Sequence, residues 1–387
     1  MKNFKMTAQT LFGLEHILAE ELTLLGAKEV EVQNRAVQFV GDKALLYRAN
    51  LCLRTALRVL MPIKSFEVED EEDLYQKVKK LNWAQYLTPD DTLAINCSLQ
   101  STLFSNSQFL ERKTKDAIVD NLRDIYGKRP YVDLNNPTLR IHLYVKHKTC
   151  VLSLDSSGES LHKRGYRNKT NLAPINEVLA AGLVLLSGWD KKSPLIDPMC
   201  GSGTILIEAA LIARNIPVGS YREAFAFEKW KDFDADLWET VYDEAMEGIV
   251  EASPLLLGGE ISKNVARKAV ANVLEANLRN VIQIENVPFE ELQVPENEPY
   301  GTLILNPPYG ERMDKDEDID ALYKSIGDTF KKNWAGYQAW VITSNMEAAK
   351  AIHLTPKPKI KLYNGSLECR FMRYELYQGS QKAKKMS

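Results

Sequence analysis

From residue 173 onward, helix-length segments separate short, wholly apolar strands, whereas the first 155 residues switch between helical and strand spacing over short distances. Near the N-terminus, Leu14, Ile17, Leu18 and Leu22 recur at helical spacing, and Gly26 follows as a C-cap. Val30, Val32, Val37, Phe39 and Val40 then read as two short strands around Asn34-Arg35, so residues 1–65 predict a small α+β module. The acidic run 67–73 is a solvated face or helix N-terminus ahead of a helix over 74–81. Residues 93–98 predict a strand, 113–126 an amphipathic helix stopped by Gly127, 139–145 an alternating strand and 149–154 its hairpin partner. This second module, over 66–155, ends at the polar joint 155–160.

The later strands fall at 195–196, 255–257, 281–284, 302–305 and 339–343. Strands separated by helices imply a parallel, doubly wound sheet, an α/β domain over 156–387. Between its first two strands, residues 219–254 are rich in acids and aromatics (Phe225, Phe227, Trp230, Phe233, Trp238, Tyr242) and read as an inserted pair of helices with a packed face. No repeat of fixed period occurs, and low complexity is confined to the tail around Lys382 to Lys385.

Composition adds limits. With 387 residues, 45% hydrophobic and 26% charged, the chain suits two or three soluble domains. It lacks an apolar run of roughly 18 residues, as a membrane span requires, and its first residues lack the apolar core of a signal peptide. Five cysteines without CxxC pairing argue against a disulfide framework or a zinc site and favour a reducing cytoplasm. Net charge is -3, but unevenly spread: residues 1–65 carry 9 Lys/Arg against 6 Asp/Glu, 156–175 carry 4 against 1, and 176–387 carry 24 against 31. A nucleic-acid surface is therefore expected as a local patch near the N-terminal region and the joint.

Two motifs carry chemistry. The strand at 195–196 enters Asp197-Pro198-Met199-Cys200-Gly201-Ser202-Gly203-Thr204, followed by an apolar helix. Gly201 and Gly203 let the backbone approach a ligand closely. The spacing is not GxGxxG and no P-loop lysine follows, so a ligand without phosphates fits better. S-adenosylmethionine (SAM) is such a ligand, with Asp197 accepting from its ammonium and the amides of the loop after Pro198, Cys200 included, meeting its carboxylate. Glu260, after the second strand, is the candidate for the ribose hydroxyls, and Asn286, after the third, for the adenine. Asn306-Pro307-Pro308-Tyr309 follows the fourth strand. Its prolines fix the backbone, so the Asn306 side chain and the Pro307 carbonyl can accept both hydrogens of an exocyclic amino group. Tyr309 would stack on the base, and positioning would supply most of the catalysis. The basic run Leu161 to Lys169, with Lys163, Arg164, Tyr166 and Arg167, reads as phosphate contact and positioning of RNA or SAM, or else as a solvated linker.

The stretches FSNSQF (104–109), KDAIVD (115–120) and RPYVD (129–133), and SLDSSGESLHKRGYR (153–167), resemble a THUMP domain and its exit. With DPMCGSGTILIEAA and NPPYGER, the chain is similar throughout to bacterial THUMP-containing RNA guanine-N2 methyltransferases, nearest the group acting on large-subunit (23S) ribosomal RNA. The resemblance implies a ferredoxin-like module, a THUMP RNA-binding domain and a Rossmann-like SAM-dependent methyltransferase domain with an antiparallel final strand. It implies SAM binding at Asp197, Gly201 and Gly203 and base binding at Asn306, Pro307, Pro308 and Tyr309; Glu260 departs from the commoner Asp. Because the chain ends at Ser387, a single activity rather than a fused pair is implied. The expected product is N2-methylguanosine in 23S rRNA, made without a metal, on RNA or a pre-ribosomal particle. A tRNA guanine, adenine N6, and a non-catalytic assembly factor stay open as alternatives.

Overall fold

Strand pairing collects the chain into two separate sheets. The computed structural model describes residues 2–167, 175–293, 296–309 and 318–377, which divide into two compact units. One comprises Met1–Thr10, Ala19–Leu161 and Arg222–Glu244, the other Leu11–Leu18, His162–Tyr221 and Ala245–Ser387. Among the described residues no helix is long and apolar enough to cross a membrane.

The first unit contains β1 (Phe4–Thr10), β2 (Lys28–Gln33), β3 (Ala36–Gly41), β4 (Ala56–Glu67), β5 (Thr92–Gln100), β6 (Tyr131–Val132), β7 (Leu139–Lys146) and β8 (Thr149–Asp155). Its helices include α2 (Lys43–Cys52), α3 (Glu71–Lys79) and α4 (Ser107–Tyr126), while α1 (Glu15–Leu24) crosses the division between the units. The strands form one eight-stranded sheet ordered β2-β3-β1-β4-β8-β7-β5-β6. β4 joins its halves, pairing with β1 on one side and β8 on the other. Pro62 has no N–H to give the ladder, and the register with β8 shifts there. The two N-terminal modules thus share one continuous sheet, and position 65 lies inside β4.

The second unit contains α5 (Glu177–Leu186), β9 (Leu195–Asp197), α6 (Thr204–Ala213), β10 (Leu256–Gly259), α8 (Lys263–Glu275), β11 (Ile282–Glu285), β12 (Thr302–Leu305), α9 (Ile319–Asn333), β13 (Gln338–Thr343), β14 (Lys359–Asn364) and β15 (Leu367–Glu375). Helix α7 (Ala235–Glu247) begins within the stretch that belongs to the first unit. The sheet order is β11-β10-β9-β12-β13-β15-β14. β11 to β13 are parallel, and β15 is antiparallel to both neighbours. Strands covered on both faces need no polar side, which is why Leu303, Ile304 and Leu305 are all buried. α6 is buried along its whole length and is correspondingly apolar on every face. α9 instead shows Tyr323, Ile326 and Phe330 on one inward stripe. The strand order reverses beside β9, with β10 on one side and β12 on the other, and sheets of this kind bind ligands beyond the carboxyl ends of the strands at such a point.

The aromatic segment departs from expectation. Instead of a pair of helices it holds one α-helix, α7, and 3-10 turns at Val218–Tyr221 and Ala226–Lys229. Residues 222–244 belong to the first unit: Phe227 stacks on Tyr47 of α2 at 4.4 Å between ring centres, and Trp238 meets Phe227 edge-on at 5.2 Å. Arg222 donates to the carbonyls of Glu159 and Ser160 at 3.0 and 3.2 Å. The aromatic face exists because it is a core contact of another unit.

Gly327 lies buried on α9, and a Cβ there would stand 2.2 Å from the backbone carbonyl oxygen of Ile352. Gly327→Ala should therefore destabilise by about 1–3 kcal/mol, although alanine is the better helix former by roughly 1 kcal/mol. Denaturant unfolding measures the difference, and a stabilised variant would refute the close-packing argument.

Candidate active site

The turn after β9 is built by burial and two left-handed residues. Asp197 is 1% exposed, burial pushes its carboxyl up to about 8, and one oxygen accepts from the Met199 amide at 3.3 Å. Gly201 (φ +54°) and Gly203 (φ +79°) reverse the chain into α6. The Cys200 amide donates to the Gly259 carbonyl at 2.9 Å, tying the loop to β10. Buried Pro198 crowds Gly259, where a Cβ would be 3.1 Å from its carbonyl oxygen. Cys200 is buried and its thiol is pushed well above the usual range, so it packs rather than reacts. The two loop glycines differ: a Cβ on Gly201 would meet nothing within 4 Å, whereas one on Gly203 would be 3.5 Å from Ala269 of α8. Gly201 borders open space, while Gly203 serves the turn and helix contact. Thr204, buried at the start of α6, has its hydroxyl 3.1 Å from that of Ser202.

The ends of β10 and β11 close on the same loop. Glu260 accepts from the Gly201 amide at 3.1 Å and the Ser262 amide at 2.8 Å, and burial raises its pKa. Asn286 donates to the carbonyls of Glu260 and Ile261 at 2.7 and 3.0 Å. Its amide therefore holds the β10 turn in shape, and Ile261 beside it is 73% exposed. Glu260 and Asn286 are thus brought against the Asp197 loop, beside the open space at Gly201.

On the neighbouring strand, the pairing of Leu303 with Ile196 brings Asn306 to the same end of the sheet as the Asp197 loop. Pro307 is buried and Pro308 exposed. Tyr309 was expected as an open stacking face; instead its ring is buried. Its hydroxyl donates to the Asn306 side-chain oxygen at 2.5 Å and accepts from Asn364 of β14 at 3.2 Å. Asn345 donates to the Tyr309 carbonyl at 3.3 Å, and the Tyr323 hydroxyl lies 3.3 Å from the Pro308 carbonyl. These three supports come from distant parts of the chain, and no local pattern announces them. Gly310, Glu311 and Arg312 of the motif lie outside the described residues.

The basic run requires a correction. Arg164 and Tyr166 are each 1% exposed and turn inward onto Glu208, a carboxylate on the otherwise apolar α6. Arg164 Nε lies 3.2 Å from it, and the Tyr166 hydroxyl donates at 2.9 Å. Arg167 donates to the Ile175 carbonyl at 2.9 Å and the Thr204 hydroxyl at 3.3 Å, and pairs with Glu177 at 3.0 Å. None of these three presents a phosphate-binding face: Arg164 and Tyr166 serve Glu208, and Arg167 ties the start of α6 to α5. Lys163 is exposed, and Asn168 and Lys169 lie outside the described residues. Gly165 (φ +113°) allows the crossing, since a Cβ would stand 2.1 Å from the Tyr221 carbonyl oxygen.

Three stretches match known families: residues 5–60 the RlmL ferredoxin-like domain, 68–155 the THUMP domain, and 164–373 the family described as RMKL-like, methyltransferase domain. The chain belongs to the RMKL-like methyltransferases. It is 40% identical to a Synechocystis protein provisionally named as an RNA methyltransferase, over 94% of this chain and 95% of that one. It is 39% identical to the ribosomal RNA large subunit methyltransferase K/L of Syntrophotalea carbinolica, over 94% of this chain and 52% of that protein. The chain thus spans about half the length of the K/L relatives it matches. A solved structure provisionally described as a methyltransferase complexed with SAH is 31% identical, with a TM-score of 0.87 over 98% of this chain and 100% of that one. Another, from Listeria monocytogenes and described by prediction as an N6-adenine-specific DNA methylase, is 32% identical, with a TM-score of 0.86 over 97% of each.

Removing the Arg164 cation would leave Glu208 charged and buried without its partner, a loss of about 3–5 kcal/mol. Arg164→Ala should therefore lower the urea midpoint sharply while RNA affinity of the folded fraction stays unchanged. Weakened RNA binding at undiminished stability would restore the phosphate-contact reading.

Proposed function

We propose that the second unit transfers a methyl group from SAM to an exocyclic amino group of RNA, forming N2-methylguanosine in 23S rRNA in the cytoplasm. In this division of labour, residues 1–65 and 66–155 orient the RNA, and 156–387 carry the chemistry. The observation that carries the reading is the hydrogen bond from the Tyr309 hydroxyl to Asn306 Oδ1. It marks that oxygen as a working acceptor at the end of the sheet that also carries the Asp197 loop, and an amino group of the base would use it. The open space at Gly201, the carboxylates of Asp197 and Glu260 and the loop amides suit the amino-acid end and ribose of SAM. Bound there, SAM supplies an electrophilic methyl on sulfur.

The chain's own part is positioning. Asn306 accepts one amino hydrogen and the Pro307 carbonyl the other, which orients the nitrogen lone pair. The target base displaces the Tyr309 hydroxyl from Asn306, and the freed ring stacks on the base and offsets part of the cost of drawing it from its helix. Matches to the THUMP family and to relatives named as RNA methyltransferases support RNA over DNA. The Listeria neighbour's description keeps adenine N6 as the second reading, since both bases present an amino group.

Nucleoside digests of ribosomal and transfer RNA from cells with and without the gene distinguish these by mass spectrometry. Loss of N2-methylguanosine from the 23S fraction is expected. Loss from tRNA, or loss of N6-methyladenosine, would move the substrate, and no change would contradict the enzymatic reading. In the purified protein, Asn306→Ala should cut turnover by about 10²-fold while SAH affinity stays within about twofold. Tyr309→Phe should retain much of the activity, and Tyr309→Ala should lose stacking worth roughly 1–3 kcal/mol. Equal damage from both Tyr309 variants would make the hydroxyl, not the ring, the working group.

A further inference from the structure

Glu177 holds a carboxylate that its pairing with Arg167 leaves half used. It lies in the first turn of α5 and is 3% exposed. One oxygen pairs with Arg167 at 3.0 Å; among the described residues, the other, Oε2, has no hydrogen-bond partner. A buried charged oxygen without a donor is costly, and burial raises this carboxyl to about 7. Its partner Arg167 donates to the Thr204 hydroxyl at 3.3 Å, and Thr204 opens α6 directly after Gly203. The acid and its arginine therefore reach, through one hydrogen bond, the residue that follows the glycine loop.

An acid with an unused oxygen, an arginine and the amino end of a helix together complement a zwitterion. The ammonium suits the acid, and the carboxylate suits the cation and the helix amides. We propose that Glu177, held in place by Arg167, receives the α-ammonium of the methyl donor's amino-acid end. This rests on reading the Asp197 loop as the SAM site and adds a residue that the loop motif does not contain. Arg167, placed in the basic run by sequence, is then a positioning residue for the cofactor rather than an RNA contact.

Calorimetric titration separates the amino-acid end from the nucleoside. S-adenosylhomocysteine carries both, 5′-methylthioadenosine carries only the nucleoside and a methylthio group, and the des-amino analogue of S-adenosylhomocysteine lacks the ammonium alone. Glu177→Gln keeps the shape and removes the charge. It should weaken S-adenosylhomocysteine by about tenfold or more and leave methylthioadenosine within about twofold. Equal weakening of both ligands would show a structural role and overturn the proposal, as would unchanged S-adenosylhomocysteine affinity. The wild-type protein supplies an arm that does not depend on the variant folding: it should bind the des-amino analogue about tenfold more weakly than S-adenosylhomocysteine, and equal binding would overturn the proposal. A wild-type protein that binds none of the three would overturn the SAM reading itself, and this inference with it.

Discussion

Glu208 is a carboxylate in the middle of a helix with no exposed face, and the second unit is arranged to neutralise it. α6 cannot turn this acid to water, so the chain entering the unit lays Arg164 and Tyr166 across the helix and pairs them with it. That crossing carries Arg167 to the start of α6, where it holds Thr204, Ile175 and Glu177. The glycine loop is therefore held at its α6 end by the Arg167–Glu177 pair and against β10 through the Cys200 amide and Glu260. What remains open is the space over Gly201.

The same arrangement relates rigidity to chemistry. Strand pairing between β9 and β12 sets the loop and Asn306 at one end of the sheet, and α9, the turn after β13 and β14 supply the residues that steady the second motif. Tyr309 is the internal exception. Its hydroxyl occupies the Asn306 oxygen that the proposed reaction assigns to a substrate amino group. Asn364 donates to the same hydroxyl, linking the antiparallel end of the sheet to the candidate site.

Much of the second unit was legible in the sequence because buried parallel strands are continuous apolar runs and glycines mark the turn between β9 and α6. β12 was read to the residue. The N-terminal sheet was harder: β1 carries the alternation of a strand, Met6 and Ala8 against Lys5, Thr7 and Gln9, but was passed over, and β4 is interrupted by Pro62 and Lys64. α2 went unread for the same reason, its apolar positions being broken by Arg48 and Asn50. Within the loop, Gly201 and Gly203 look equivalent as letters, and only the packing of Ala269 against Gly203 separates them. The basic run was misread because charge in a sequence carries no direction. The clue lay forty residues on, in a lone glutamate among ILIEAALIA, which had to find a cation inside the protein. Asn345 and Asn364 had no such signal, since tertiary structure alone brings them to Tyr309.

The account depends most on the space over Gly201 being where the methyl donor sits. Gly201→Asn tests it, because asparagine tolerates the left-handed backbone found there and extends a side chain into the open space. Calorimetry with S-adenosylhomocysteine on wild type and variant, at matched unfolding midpoints, is the direct measurement. The account predicts binding by the wild type and a loss of about tenfold or more in the variant. Equal affinity in the two proteins would contradict it.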